Sequence, residues 1–267
     1  IRRQRQMCIR DRALDYGART LQVDANFDQI LALVRTLSER LGIYLLNSVN
    51  PFRIEGQKSI LIEMMDQLDW EVPDWVVVPG GNLGNISALG KAAKELHEQG
   101  FINRLPKFAV VQAEGASPFY EFMQHPNANH FPSNTHPETL ATAIKIGDPV
   151  SWPKAWAALG TTGVVERANE QEIADAKAII GKCGIGCEPA SAVTLAGIKK
   201  LRAAGTIQEK DCVIALLTGN VLKDPDYIYR YHTNQLIDPH GHSIAANFGN
   251  APTVVPNDIE IISNLLQ

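Results

Sequence analysis

Long apolar runs, clustered cysteines and extended basic stripes are scarce in this chain. No apolar run approaches the roughly 18 residues that a membrane-spanning helix needs, so we expect a soluble body. Four cysteines among 267 residues are too few for a disulfide framework, which favours a reducing, cytoplasmic location. A net charge of −4 and a pI near 6.0 argue against nucleic acid or a membrane as the main partner. A small-molecule ligand fits these features better.

The cysteines and histidines lack the spacing of a metal site. Cys183 and Cys187 stand close together, but no second Cys or His pair follows at a zinc-like offset. The histidines at positions 125, 130, 136, 240 and 242 fall in loop-like stretches, where surface positions are commoner than metal ligands. We therefore predict structural thiols and no metal site.

The first twelve residues differ from the rest of the chain. They carry five arginines and one acid, with no helical or strand periodicity. Residues 3–12 look like translated sequencing adapter at the broken end of an assembled read. We interpret residues 1–12 as a non-native leader, with the native chain entering near Ala13 and its true N-terminal part missing. The alternative is a basic tail or a transit peptide, although serine and an amphipathic stripe are lacking.

Apolar runs alternate with helical patterns along the body of the chain. Strands are predicted at 76–78, 108–111, 162–165 and 212–217, with helices at 86–99, 169–181 and 189–203. This alternation indicates an α/β fold with a mainly parallel sheet and helices on both faces. Such sheets bind ligands at the carboxyl ends of their strands.

The N-terminal part is predicted to hold shorter elements. Strands at 20–23 and 43–46 flank a helix that begins after Asp24 or Asn26 and ends at Gly42. Apolar positions from Ile54 to Leu68 trace a second helix. Farther along, the irregular stretch 125–138 is interpreted as a surface connection rather than a flexible lid.

The turn after the strand at 76–78 has the composition of a phosphate-binding loop. Gly80-Gly-Asn-Leu-Gly-Asn85 opens a helix, where close backbone approach, free N–H groups and the helix dipole favour an anion. Its glycine spacing departs from the dinucleotide and nucleoside-triphosphate motifs. The turn therefore predicts another phosphate-bearing ligand, and the alternative is a tight turn that binds nothing.

Two further segments carry side chains suited to a ligand. The stretch from Asn47 through Ser48 to Arg53 combines amides, a hydroxyl and a guanidinium, which suits an oxyanion as well as it suits helix capping. Thr218 follows a predicted strand, and its hydroxyl can meet a ligand ring nitrogen. Glu188 and Ser191 are interpreted as capping the helix that begins near Pro189.

In their order and spacing, these motifs resemble threonine synthase, a family of fold type II enzymes that use pyridoxal 5'-phosphate. The resemblance covers nearly everything from about Gly42 to Asp226 and rests on the segments 47–58, 81–85, 143–152, 188–191 and 218–219. It implies an α/β, tryptophan synthase beta-like fold. Residues 13–46 would then be the remnant of a small N-terminal domain, and residues 47–267 the large cofactor-binding domain.

The resemblance also implies roles for the ligand-binding residues. The cofactor phosphate would be held by Gly81, Asn82, Leu83, Gly84 and Asn85, and the pyridine nitrogen would face Thr218. The phosphate of O-phospho-L-homoserine would be held by Asn47, Ser48 and Arg53. The implied reaction converts that substrate and water to L-threonine and phosphate by γ-elimination and β-addition, the last step of threonine biosynthesis.

The resemblance assigns no catalytic residue to this chain. In the family the Schiff-base lysine lies in the N-terminal domain, before the first residue present, and neither Lys58 nor Lys145 takes its place. We therefore expect the fragment to be inactive alone, and a homodimer is one assembly that the sequence allows. The alternatives are another fold type II enzyme, such as a threonine or serine dehydratase or a cysteine synthase, or a non-catalytic ligand-binding fragment.

Overall fold

A parallel β-sheet lies at the centre of the chain in the computed structural model, which describes residues 13–47, 49–125 and 130–266. Its strands are β1 (Trp75–Pro79), β2 (Lys107–Ala113), β3 (Val164–Ala168) and β4 (Val213–Ala215). They are ordered β3-β2-β1-β4, and every pairing is parallel. The predicted leader, residues 1–12, and Ser48 lie outside the described residues.

Helices connect and flank these strands. The described α-helices are α1 (Phe27–Leu41), α2 (Pro51–Gln57), α3 (Ser59–Gln67), α4 (Gly84–Glu98), α5 (Pro118–Gln124), α6 (Trp152–Leu159), α7 (Glu170–Lys182), α8 (Pro189–Ala203), α9 (Pro225–His232) and α10 (Ile259–Leu266). None of these helices is long and apolar enough to cross a membrane.

Alternate residues of β1 enter two separate cores. Val76 and Val78 pack in one core with α3, α4, α5 and α6, whereas Trp75 and Val77 pack in the other with α7 and α8. Successive strand residues point to opposite faces of a sheet, so apolar side chains at every position require cover on both sides. The predicted α/β fold, with helices on both faces of a parallel sheet, is confirmed.

The N-terminal predictions are confirmed in part. Asn26 caps α1 in a reciprocal capping box with Gln29, and Gly42 ends the helix with a left-handed φ of 65°. The predicted strands at 20–23 and 43–46 are wrong, because neither segment forms a strand in the structure. No described strand pairs with either one, and an isolated extended segment has no ladder of hydrogen bonds to stabilise it.

Several boundaries also differ from the sequence prediction. The helix predicted from Ile54 to Leu68 divides at Lys58 into α2 and α3, where the Ser59 hydroxyl donates to the Gly56 carbonyl (2.8 Å). The strand predicted from 162 begins at Val164, because the N–H of Gly163 still closes a turn onto Leu159 (2.9 Å). Four short described helices, α5, α6, α9 and α10, were missed, although α5, α6 and α9 each have proline in the first turn.

Two helical glycines offer a direct test of how α8 packs on the sheet. A Cβ at Gly197 would lie 2.3 Å from Val111 Cγ2, whereas a Cβ at Gly181 would meet nothing within 4 Å. We expect Gly197→Ala to lower the free energy of unfolding by about 1–3 kcal/mol through overpacking. Gly181→Ala should raise it by about 0.5–1 kcal/mol, because alanine restricts the unfolded chain. Urea unfolding of both variants checks this, and equal effects would contradict the packing.

Candidate active site

A cavity of about 260 Å³ lies where strands β1 and β4 end. Three features that were predicted to bind ligands, and that are far apart in the sequence, line this cavity together: the turn at 81–85, Arg53 of α2, and Thr218 after β4. Its remaining wall includes Phe27, Gln57, Ile144, Ile146, Glu188 and Ala190. The carboxyl ends of parallel strands meet at one edge of a sheet, which brings these segments together.

The floor of this cavity is the turn that opens α4. Across the described residues, the backbone N–H groups of residues 81–86 form no hydrogen bond, and no side chain caps the helix. The intrahelical ladder begins one residue later, where Ser87 N donates to the Leu83 carbonyl (3.2 Å). Unpaired N–H groups at a helix N-terminus, together with the helix dipole, form a site for an anion.

Leu83 gives the turn its shape. Its backbone is left-handed, with φ of 63°, a conformation that costs a residue with a Cβ about 1–2 kcal/mol. The side chain is only 3% exposed and packs in the core beneath the sheet face. Burial of this side chain therefore holds the strained backbone in place and fixes the direction of the neighbouring N–H groups.

Asn82 supplies a further donor without a partner. Its Oδ1 accepts from the backbone N–H of Val150 (2.8 Å), which ties the turn to the segment before α6. Its Nδ2 is buried and has no hydrogen-bond partner in the described part of the chain. A buried amide donor without an acceptor costs about 1–3 kcal/mol, a cost that a ligand oxygen would remove.

The glycines of the turn have different surroundings. A Cβ at Gly81 would press on the carbonyl oxygen of Ala143 at 3.1 Å, so this residue permits the 142–144 turn to close on the cavity. A Cβ at Gly84 would have a single neighbour, Ile54 Cδ1 at 3.8 Å. Gly84 nevertheless lines the cavity, and the space beside its Cα is therefore open to a ligand.

Thr218 is held by a small polar network. Its N–H and that of Gly219 both donate to the hydroxyl oxygen of Ser191, at 2.9 and 3.1 Å. The Thr218 hydroxyl lies 2.9 Å from the Ser191 hydroxyl and donates to Glu188 Oε1 (3.3 Å). The buried carboxylate of Glu188 also pairs with Lys223 (3.2 Å). The network places one hydroxyl at the rim of the cavity.

The predicted capping role of Glu188 and Ser191 is wrong. Glu188 stands at the N-cap of α8 but makes no side-chain capping bond. Both side chains instead accept hydrogen bonds from the loop after β4. Ser191 accepts from the N–H groups of Thr218 and Gly219, and Glu188 accepts from the Thr218 hydroxyl. Sequence reasoning missed this network, since its members lie 27 to 30 residues apart.

The segment predicted to bind the substrate phosphate, residues 47–53, only partly lines the cavity. Arg53 lines it, whereas Asn47 does not; the Asn47 Oδ1 accepts from the N–H of Val49 (3.1 Å) in a local turn. Asn50 takes the capping role, accepting from Phe52 N (2.9 Å). The prediction for Ser48 falls outside the described residues.

Gln57 and Phe27 are among the cavity residues to which the sequence analysis gave no ligand role. Gln57 lies one helical turn after Arg53, and its buried Oε1 has no partner among the described residues. The four-residue spacing on α2 could have indicated it. Phe27 comes from the start of α1, where Asp28 accepts a hydrogen bond from Gly147 N (3.2 Å). Burial raises the pKa of the Asp28 carboxyl.

Removing the Ser191 hydroxyl tests the network around Thr218. Ser191→Ala should lower the free energy of unfolding by about 1–3 kcal/mol, because the N–H groups of Thr218 and Gly219 lose their acceptor. The exposed Ser263 is a matched control, and Ser263→Ala should change stability by less than about 0.5 kcal/mol. Denaturant unfolding measures both, and equal stabilities would show that the network is unimportant.

Comparison with known proteins identifies the family of this chain. The profile of the pyridoxal-phosphate dependent enzymes matches residues 10–219. A threonine synthase from Methanocaldococcus jannaschii is 47% identical over 220 residues, 82% of this chain and 54% of that protein. The chain therefore spans about half the length of this curated relative.

Solved structures of fold type II enzymes share the architecture. The threonine synthase of Escherichia coli has a TM-score of 0.63 at 22% identity, covering 78% of this chain and 49% of its own. A processed threonine deaminase from Solanum lycopersicum has a TM-score of 0.65 at 21% identity, covering 80% and 56%. At these identities the structures establish the fold alone. The match over residues 10–219 shows that the chain belongs to the pyridoxal-phosphate dependent enzyme family.

Proposed function

We propose that the protein is a threonine synthase, which converts O-phospho-L-homoserine and water to L-threonine and phosphate. The observation that supports this most is the presence in one cavity of both the phosphate-binding turn and Arg53. A reaction in which cofactor and substrate each carry a phosphate needs two anion sites close together. The identity to a curated threonine synthase, 47% over 220 residues, supports the same conclusion.

The residues of the turn fit a cofactor phosphate. We propose that the N–H groups of residues 81–86 and the amide of Asn82 bind its oxygens, since these donors have no other partner in the described chain. Thr218 would meet the pyridine nitrogen as a neutral hydrogen-bond partner. When bound, pyridoxal phosphate supplies an electron sink for the carbanions formed on the substrate.

Arg53 would hold the substrate phosphate until it leaves. Arg53 lines the same cavity as the phosphate turn, and arginine can bind phosphate through two parallel hydrogen bonds. Ser48 and Asn47 are proposed as further ligands of the same phosphate, supported by their place in the motif that ends at Arg53.

The proposal assigns the Schiff-base role to no described residue of this cavity. Among the described residues that line the cavity there is no lysine. Lys58 is engaged with Glu95 (2.5 Å), and Lys145 is engaged with Glu138 (2.8 Å). We accordingly propose that this chain binds the cofactor without completing the reaction. We also propose a cytosolic location, which is consistent with three free cysteines among the described residues.

Gly84 allows cofactor binding to be separated from folding. Gly84→Ala should leave the free energy of unfolding unchanged or slightly higher, because its φ is not left-handed and its only Cβ neighbour lies at 3.8 Å. The new methyl group would occupy ligand space, so the dissociation constant for pyridoxal phosphate should rise about 5- to 100-fold. Equilibrium dialysis measures this. Gly56→Ala on the outer side of α2 is the control, and equal affinities for the two variants would contradict the site.

The substrate assignment is tested with a protein that carries this chain together with a Schiff-base lysine. It should release phosphate from O-phospho-L-homoserine and form L-threonine, and Arg53→Met should lower kcat/KM about 10- to 100-fold through a loss of charge-assisted hydrogen bonds. Arg35→Met, which alters an exposed arginine of α1, should leave kcat/KM unchanged. Release of ammonia and 2-oxobutyrate from threonine, without phosphate release, would instead assign the protein as a dehydratase.

A further inference from the structure

A second cavity, of about 820 Å³, lies between α7, the glycine-rich loop after it, and α9. It shares no lining residue with the first cavity. Its wall is completed by the segment that includes Asn247 and Phe248. None of the described residues predicted to bind the cofactor or the substrate lines this second cavity.

Lys177 of α7 lines this second cavity without a partner. Its side chain is 92% buried, being 8% exposed, yet the ammonium forms no hydrogen bond or ion pair with any described residue. The ionisable groups that influence its pKa are the thiol of Cys187 and the carboxyl of Asp224. Burial lowers the pKa of Lys177, and this effect outweighs the opposing influence of Cys187 and Asp224.

The lining also contains two further basic residues and three aromatic rings. Lys182 and His232 add basic groups, and no Asp or Glu is found among the described lining residues. The His232 Nδ1 accepts from Asn250 N (3.0 Å), which in the neutral ring leaves the proton on Nε2 as a donor. The rings of Tyr227, Tyr231 and Phe248 provide apolar surface.

The walls of the cavity are fixed by hydrogen bonds. The Tyr231 hydroxyl donates to Asp175 (2.6 Å) and accepts from Phe248 N (3.1 Å), while the Asn247 amide donates to Asp175 (2.8 Å). These bonds fasten the 247–248 segment to α7 and α9. The cavity therefore exists before any ligand binds, which lowers the entropic cost of binding.

We propose that this second cavity binds a small organic carboxylate, with its carboxylate against Lys177 and its apolar body against the aromatic rings. The charge of this largely buried lysine matches one negative charge, and the ring surface matches an apolar or aromatic substituent. A carboxylate there supplies the acceptor that the Lys177 ammonium lacks. This site is independent of the proposed threonine synthase activity.

The probe for this site is 3-phenylpropionate, with 3-phenylpropan-1-ol as its uncharged counterpart. Calorimetric titration of this chain should show binding of the acid and at least about tenfold weaker binding of the alcohol. Lys177→Met should weaken binding of the acid by at least about tenfold, whereas Lys154→Met, at an exposed lysine of α6, should leave it unchanged. Equal binding of acid and alcohol, or of the acid to both variants, would overturn the proposal.

A measurement on the unsubstituted chain covers the case in which Lys177→Met fails to fold. Reductive methylation with formaldehyde, followed by peptide mass spectrometry, gives the modification rate of each lysine. Saturating 3-phenylpropionate should slow modification of Lys177 at least about tenfold, because an amine paired with a carboxylate and closed off by the ligand is poorly reactive. The rate at Lys154 should stay the same, and an unchanged rate at Lys177 would overturn the proposal.

Discussion

Six consecutive backbone N–H groups, from residue 81 to residue 86, have no partner among the described residues, and the candidate site depends on this constraint. They lie where a strand buried on both faces runs into a helix, so neither the sheet ladder nor the helix ladder can pair them. Backbone donors in such a position require an acceptor from elsewhere. A phosphate is the ligand that satisfies several of them at once.

The surrounding structure holds this turn in one shape. Leu83 keeps its left-handed backbone because its side chain is buried in the core, and Asn82 is fastened to Val150 by its Oδ1. On the opposite side, Ser191 fixes the loop that carries Thr218. The fold thus holds one end of the site rigidly through backbone geometry and the other end through buried polar side chains.

The sequence predicted the features that depend on local patterns. Buried strands are near-continuous apolar runs, and the glycines of the 80–85 turn indicate a close backbone approach, so the sheet and the tight turn into α4 could be anticipated. Phosphate binding by this turn stays a prediction. The link from Ser191 to Thr218 and the cavity position of Phe27 arise from tertiary packing between distant segments, and no local pattern encodes them. The predicted strands at 20–23 and 43–46 are wrong for a related reason, because a strand forms only where a neighbouring strand pairs with its backbone. The division at residues 12 and 46 stays a prediction.

The central claim is that the backbone of residues 81–86 binds the phosphate of the cofactor. Titration of the ¹⁵N-labelled chain with pyridoxal phosphate, and separately with pyridoxal, tests this claim most directly through the amide resonances. The account predicts that pyridoxal phosphate shifts the amides of residues 81–86 strongly and that pyridoxal, which has no phosphate, leaves them nearly unchanged. Equal shifts with both compounds, or shifts confined to other segments, would contradict it.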